Sequence, residues 1–569
     1  MSASALAPLA PPRRAPVRAP GAALRDAAFC AATQVSAEIR MRMRSAATPI
    51  ALVAFFAAAF FWIPDPSGNT ASLTWDLPDG RVQAPLYSAA YVGFALAVLS
   101  GVILAMSGFY LVAGSVRRDR ERGIGAILAA TPLSKSAYLG GKFAAHFAYL
   151  LVLDVLALGA GLTAFVWYGA GRFTPVSFAA PYLLLTLPAI AACASLAVLF
   201  DVTPGLRGRG GLVVWFFVFL FGLVKLPMDL AGIDVDQAVK SGTMSRPVYD
   251  PAGVATDEWL VRQTVPANAT GVSSGHIHRD KPIERVPWKG VPLTWGLVGM
   301  RSVNFLLALL PLLPAILLFD RFDPARGRRR ARRPGSIAGL WRRLEARREA
   351  AAARAGAASV PARSGASLSP VTVRRSARAA ILAEARLVWE SASIVKWPLA
   401  VAAMLAGLTP GNFSQAAFLM LLVPVISEAA AREKLAGTGA LVFSQPAVPR
   451  SPVLWKTAAV GLVVLALGAP LAVRGFLVSP ARGLACVGGL GAIAAISVGM
   501  GSLTSGGKLF TGLYLVVWYM GLSNLAPADF TSALSARPEP VYAFLYIGVA
   551  AALVGAALLR ERAGRPIAA

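Results

Sequence analysis

Three histidines and three cysteines among 569 residues leave little material for metal or redox chemistry. Cys30, Cys193 and Cys486 lie far apart, the last two inside apolar runs, so neither a disulfide framework nor a CxxC metal site can be drawn from them. They read as buried or inert thiols. His276 and His278 stand two positions apart, but two imidazoles without further ligands at fixed spacing make a poor metal site. Charge is scarce too, at 15% of residues, and acid is scarcest, with 28 Asp and Glu against 55 Lys and Arg. No H-E-x-x-H, no G-x-S-x-G and no paired acidic signature appears, which disfavours an intramembrane enzyme and leaves no bound metal or cofactor to expect. The nearest string to a phosphate-binding loop, 501–509 (GSLTSGGKL), puts Ser502 where the first glycine belongs and Leu509 after the lysine. It reads instead as helix packing and a short turn.

What the chain has in abundance is apolar length. It is 56% hydrophobic with a mean hydropathy of +0.61, and several runs approach the ~20 residues that cross a bilayer. Spans are expected near 49–63, 86–113, 143–168, 176–200, 212–228 and 293–319, then near 397–408, 413–431, 457–478, 484–503, 510–525 and 541–559. The net charge of +27 is concentrated in loops between these runs, where positive-inside bias places it, so it does not indicate nucleic-acid binding. The arginine-dense 320–375 stretch, Arg117 to Lys142 and the 560–565 tail fall on one side, the expected cytoplasm; Asp65, Asp76 and Asp79 fall on the other. Both termini then face the cytoplasm. The Ala-, Pro- and Arg-rich start reads as a cytoplasmic tail, with an organellar transit peptide as its competing reading, and its first apolar run begins too late for an ordinary cleaved signal peptide.

A loop occurs twice. RDRERGIGAILAATPLSKSAYLGGK (Arg118 to Lys142) and REKLAGTGALVFSQPAVPRSPVLWK (Arg432 to Lys456) align without a gap at a separation of 314 positions. Arg118 matches Arg432, Gly123 matches Gly437, Pro132 matches Pro446 and Lys142 matches Lys456, while Asp119/Glu433 and Arg120/Lys434 keep charge type. A-E-x-R precedes each half, at Ala37 to Arg40 and Ala383 to Arg386, in stretches that suit an amphipathic interfacial helix; a straight extension of the following span is the alternative. The expectation is an all-α integral membrane protein of about twelve transmembrane helices in two parallel six-helix repeats. Its parts are a tail with elbow helix (1–48), a first half (49–320), a basic linker (321–375) and a second elbow and half (376–569).

Arg120-Glu121-Arg122-Gly123, followed by Leu128, Thr131-Pro132-Leu133-Ser134 and Lys142, resembles the cytoplasmic segment of ABC-2 type transporter permeases, the type V exporter architecture. The resemblance implies an elbow helix before six spans and a coupling helix, between the second and third spans, that docks on a separate ABC ATPase. It implies export driven by ATP and Mg used by that partner, two ATPase copies, and a bacterial inner membrane with its lipids as surroundings. Candidate coupling residues are Arg118, Arg120, Glu121, Gly123 and Pro132, with Arg432, Lys434, Gly437 and Pro446 in the second copy. There Leu435 and Ala436 replace Glu121 and Arg122, so the two loops need not contribute equally. Alternating charges from Arg118 to Arg122 suit i,i+3 and i,i+4 pairs on an exposed helix. Asp154 and Arg301, the charges hardest to place in lipid, are candidates for the translocation path or for a structural interhelical role. An ion-driven secondary transporter is the alternative function, with Asp154 and His146 as its relay, and a membrane scaffold without transport is a third.

Overall fold

Lipid offers backbone N–H and C=O groups no partners, so apolar runs must pair their own polar groups as helices. The computed structural model follows that rule. It describes residues 20–131, 133–233, 245–322, 376–391, 396–409, 412–443, 451–534 and 539–563. Residues 1–19 of the expected tail and 323–375 of the expected linker lie outside these.

In the first half, α1 (Pro20–Met43) and α2 (Ala47–Trp62) lead through two strands to α3 (Ala89–Val112). Two short loop helices follow, α4 (Ser115–Glu121) and α5 (Ile124–Ala130), then the long α6 (Lys135–Tyr168) and α7 (Pro175–Val202). Helix α8 (Arg209–Phe217) runs on through a π-helical stretch, Val218–Lys225, and a last turn, Leu226–Leu230. A short α9 (Val254–Thr264) precedes α10 (Trp295–Leu309) and α11 (Leu312–Leu318). The second half holds α12 (Ala377–Ser391), α13 (Lys396–Leu408), α14 (Asn412–Ile426), the loop helices α15 (Arg432–Leu435) and α16 (Gly439–Phe443), then α17 (Pro452–Val478), α18 (Pro480–Thr504), α19 (Lys508–Leu522) and α20 (Tyr542–Arg562).

Each expected apolar run overlaps helical residues, but not every one is long enough to span. Among the described residues nine helices are long and apolar enough to cross a membrane, or ten with the bent pair of α1 and α2; Trp397–Leu408 and Lys508–Leu522 are apolar but shorter. Helices α1 and α2 meet at 82°, so the first A-E-x-R stretch is a separate elbow rather than a straight extension of its span. Arg42 fixes the corner. Its guanidinium donates to the main-chain oxygens of Leu111 (2.7 Å) and Val112 (3.2 Å) and lies over the Tyr149 ring. A cation at the last carbonyls of α3 satisfies groups that no further turn will take.

The chain is mostly helical, in keeping with the all-α expectation, and one small sheet accompanies the helices. On the side opposite the loop helices, β1 (Thr70–Asp76), β2 (Val82–Pro85), β3 (Gly271–His278) and β4 (Ile283–Val286) form a four-stranded sheet in the order β3-β1-β2-β4. β1 pairs antiparallel with β2 and β3, while β2 pairs parallel with β4. The Pro-Asp-Gly turn between β1 and β2 supplies the reversal, with Gly80 at φ +77° and Asp79 accepting the Arg81 amide at 3.0 Å. β1 is almost wholly buried; the Ser72 amide donates to the Tyr91 hydroxyl of α3 at 2.9 Å, which seats the sheet on the helices.

The halves meet along α19. A Cβ added to Gly512 would lie 3.3 Å from the Ser107 carbonyl of α3, and Trp518 meets Phe216 of α8 edge-on at 6.0 Å. Small residues let helix backbones approach this closely where no water drives association.

Candidate docking loops

The first loop starts at a hinge. Gly114, at φ +92°, breaks the chain between α3 and α4, and the Asp201 carboxylate of α7 accepts the amides of Gly114 (2.7 Å) and Val116 (3.1 Å), capping α4 from outside its own sequence. The charges that follow turn inward rather than toward each other. Arg118 Nη2 donates to both oxygens of Glu38 on the elbow helix, at 2.6 and 2.7 Å. Lys142, 3% exposed, reaches Glu38 and, at 2.8 Å, Asp119, whose carboxylate also accepts from the Tyr138 hydroxyl at 2.7 Å. Two carboxylates and two cations thus close a buried four-residue lock between elbow, α4 and α6.

Arg120 is anchored as well. It donates to both oxygens of Asp320 at 2.8 and 3.1 Å and lies over the Phe322 ring. The expected run of local pairs reduces to one i,i+4 contact, Arg117 with Glu121 at 3.4 Å. The other charges are satisfied across the fold because partners fixed on neighbouring helices cost less chain ordering than two flexible surface side chains. What remains outward is Glu121, Arg122, Gly123 and, on α5, Ile124 and Ile127, the last 69% exposed. Gly123 takes φ +76° between the two loop helices, a backbone state glycine adopts without strain. Gly125 faces inward, where an added Cβ would meet the Phe322 ring at 2.6 Å.

The second loop repeats the geometry with fewer contacts. Arg432 donates to Glu384 of the second elbow at 3.0 Å, and the buried Lys456 pairs with Glu433 and donates to the Ala429 carbonyl at 3.4 Å. Gly437 repeats the left-handed turn at φ +69°. Lys434 and Leu435 are exposed, and so is Leu441, at 70%. Leu441 stands 314 positions after Ile127. Where Lys142 serves two carboxylates, no Lys456–Glu384 contact is formed, and burial raises the Glu384 pKa despite Lys456 and Arg432 nearby. Pro132 and Pro446 lie outside the described residues.

The elbow glutamates, Asp119/Glu433 and Lys142/Lys456 were absent from the candidate residues. A signal for them existed, since each is an acid or base at a recurring place, but the partner of each was not readable along the chain.

The sequence model of the ABC-2 family transporter protein matches residues 66–234, from the first strand pair through α8, and so includes the first loop and its hinge. Over that segment the chain is similar to ABC-2 type permeases. No curated protein and no solved structure matches the chain. The apolar helices on either side of that segment agree with an integral membrane protein.

Within the helical bundle, Asp154 and Arg301 are not brought together. Asp154 on α6 accepts from Tyr182 at 2.7 Å and Thr186 at 2.9 Å, both on α7. Arg301 on α10 answers a defect in α7. Pro188 has no amide to give the Leu184 carbonyl four residues earlier, and Arg301 Nε takes that carbonyl at 3.0 Å. Its other nitrogens reach the main-chain oxygens of Leu185 (3.0 Å), Asp250 (2.6 Å) and Pro251 (3.4 Å) and the Thr256 hydroxyl (3.2 Å). His146 meets Ser115 at 2.9 Å, apart from both. On the sheet, the half-buried His276 lies 6.1 Å from Trp62, while His278 shares a hydrogen bond with Thr70. Burial, outweighing an interaction with the Asn524 backbone, lowers the His276 pKa to about 4.

Proposed function

We propose that this permease carries a substrate outward across a bacterial inner membrane, driven by two separate ABC ATPase subunits, one on each loop. The observation that carries the reading is the pair of exposed apolar side chains at matched places, Ile127 and Leu441, each following a left-handed glycine and each backed by an elbow lock. An apolar knob on a basic face is poorly placed against water or phospholipid headgroups and well placed in a protein groove. The lock behind it transmits force, because a loop tied by buried ion pairs to its elbow moves the elbow with it. The surrounding basic residues support a cytoplasmic position for the loops and both termini. ATP and Mg act in the partner, and lipid surrounds the spans. The ion-driven alternative draws less support, since His146 and Asp154 have separate partners.

The test is association and stimulation of the ATPase that copurifies with the permease. Ile127→Glu with Leu441→Glu is expected to weaken binding at least tenfold, as expected when a desolvated anchor is replaced by charge, while membrane insertion is retained. Unchanged binding by the double variant would remove the docking assignment. Transport in proteoliposomes without nucleotide, abolished by an ionophore, would move the permease to the secondary transporters.

A further inference from the structure

The 501–509 string fails as a phosphate loop, yet it occupies a particular place. Helix α18 ends at Thr504, and Ser505 turns through φ +60° with its amide on the Gly501 carbonyl at 2.9 Å. Thr504 Oγ1 lies within hydrogen-bonding distance of the Met500 carbonyl (2.7 Å) and the Gly506 carbonyl (3.2 Å), and Arg560 donates to the Leu503 carbonyl at 2.5 Å. The turn is therefore held on both sides.

Its last two residues touch the roots of both docking loops. Gly507 packs on the main chain of Ser427, so closely that an added Cβ would lie 2.3 Å from the Ser427 carbonyl. Lys508 Nζ donates to the Ala113 carbonyl at 2.6 Å and covers Gly114, whose added Cβ would lie 2.3 Å from that nitrogen. Ala113 ends α3 and Ser427 follows α14, and they are separated by the same 314 positions as the loops. One turn thus contacts the equivalent carbonyls from which both loops spring.

We propose that the Ser505–Lys508 turn couples the two docking loops, so that release of one elbow lock is felt at the other. Swinging α4 on its Gly114 hinge rotates the Ala113 carbonyl. The half-buried Lys508 ammonium follows its acceptor, because the favourable place for a cation is the open carbonyl end of α3. Lys508 opens α19, so its shift carries Gly507 against Ser427, a backbone contact with no side chain to absorb it. Lys508 is a positioning residue in this scheme, touching neither cargo nor nucleotide. The inference rests on the docking reading for its purpose, but its geometry and test do not require an ATPase.

The experiment is hydrogen exchange of the full-length permease in lipid nanodiscs without any ATPase. Glu38→Gln breaks the first lock; with Lys508 intact it is expected to speed amide exchange in 432–443 about fivefold, the lower end of ordinary coupling between sites. In the Lys508→Met background the same lesion speeds exchange in 115–130 but leaves 432–443 unchanged, and Lys508→Arg restores the effect. Gly507→Ala is a second route to the uncoupled state and decides the matter if Lys508→Met fails to insert. A residue that merely stabilises the fold would leave the Glu38→Gln effect on the second loop intact. The proposal is overturned if 432–443 ignores Glu38→Gln with Lys508 present, or responds equally in the Lys508→Met and Gly507→Ala backgrounds. ATPase binding, measured separately, bears on the docking reading alone.

Discussion

Arg301 shows how one proline sets the demand on a distant side chain. Pro188 leaves the Leu184 carbonyl of α7 without its amide, deep in protein, and a forked cation on α10 supplies the donor. Arg301→Met strips donors from several buried oxygens at once, and the expected loss is on the order of 3–5 kcal/mol, read by thermal unfolding in detergent. Pro188→Ala restores an amide for Leu184 and should recover part of that loss in the double variant; strict additivity would sever the link between the two residues. Asp257 offers a pH test. It is buried on α9 with Oδ1 unpartnered, and burial first, then the neighbouring Glu258 and Asp250, push its pKa well above the usual carboxylate range; Ser274 and Tyr519 also face it. An acid with a raised folded pKa takes up a proton on folding. Its stabilisation is complete below the ordinary carboxylate pKa and declines as pH rises toward the folded value. Asp257→Asn should flatten that decline in melting temperature, and parallel slopes in the two proteins would assign the titration to another group.

At the scale of elements, the two elbow locks share their chemistry but differ in closure. Lys142 bridges Glu38 and Asp119, whereas Lys456 holds Glu433 and a carbonyl while Arg432 alone holds Glu384. Removing one partner of a buried pair strands the other charge. Lys142→Met should therefore cost more than Lys456→Met, since it takes a cation from two carboxylates rather than one, leaving Glu38 to Arg118 and Asp119 to the Tyr138 hydroxyl. The measure is protease sensitivity of each loop in the membrane-inserted protein; equal sensitivity would show the second lock closed as tightly as the first. The same geometry gives Arg120 an anchoring contact. Held by Asp320 and Phe322, its reversal is expected to disturb the loop's anchorage, whereas changes at the exposed Ile127 and Leu441 leave that anchorage intact.

At the scale of the molecule, basic loop helices lie at one end and the sheet at the other, and α19 runs between the halves. Charge asymmetry predicts that a cysteine at Ser273, on β3, is labelled by an impermeant reagent from outside the cell, and one at Ser336, in the linker outside the described residues, only after permeabilisation. A Cys30→Ser background suffices, because Cys193 and Cys486 are buried. The reverse labelling pattern would turn the docking loops away from any cytoplasmic ATPase.

Sequence alone determined the helical membrane class, the places of the helices and the recurrence of the loop. Lipid imposes internal pairing on every apolar run, and a repeat at constant separation needs no structure to be seen. It also marked Gly123 and Gly437, whose left-handed turns are local properties of the backbone. Tertiary structure alone decided where the charges go. Glu38 meets Arg118 across 80 positions and Arg120 meets Asp320 across 200, distances over which spacing carries no information about proximity. The sheet was hidden for the same reason, since segments 70–85 and 271–286 are short, weakly patterned and useful only to each other. So was the role of 501–509: a glycine pair and a lysine look alike in any turn, and only packing shows that they rest on the roots of both loops.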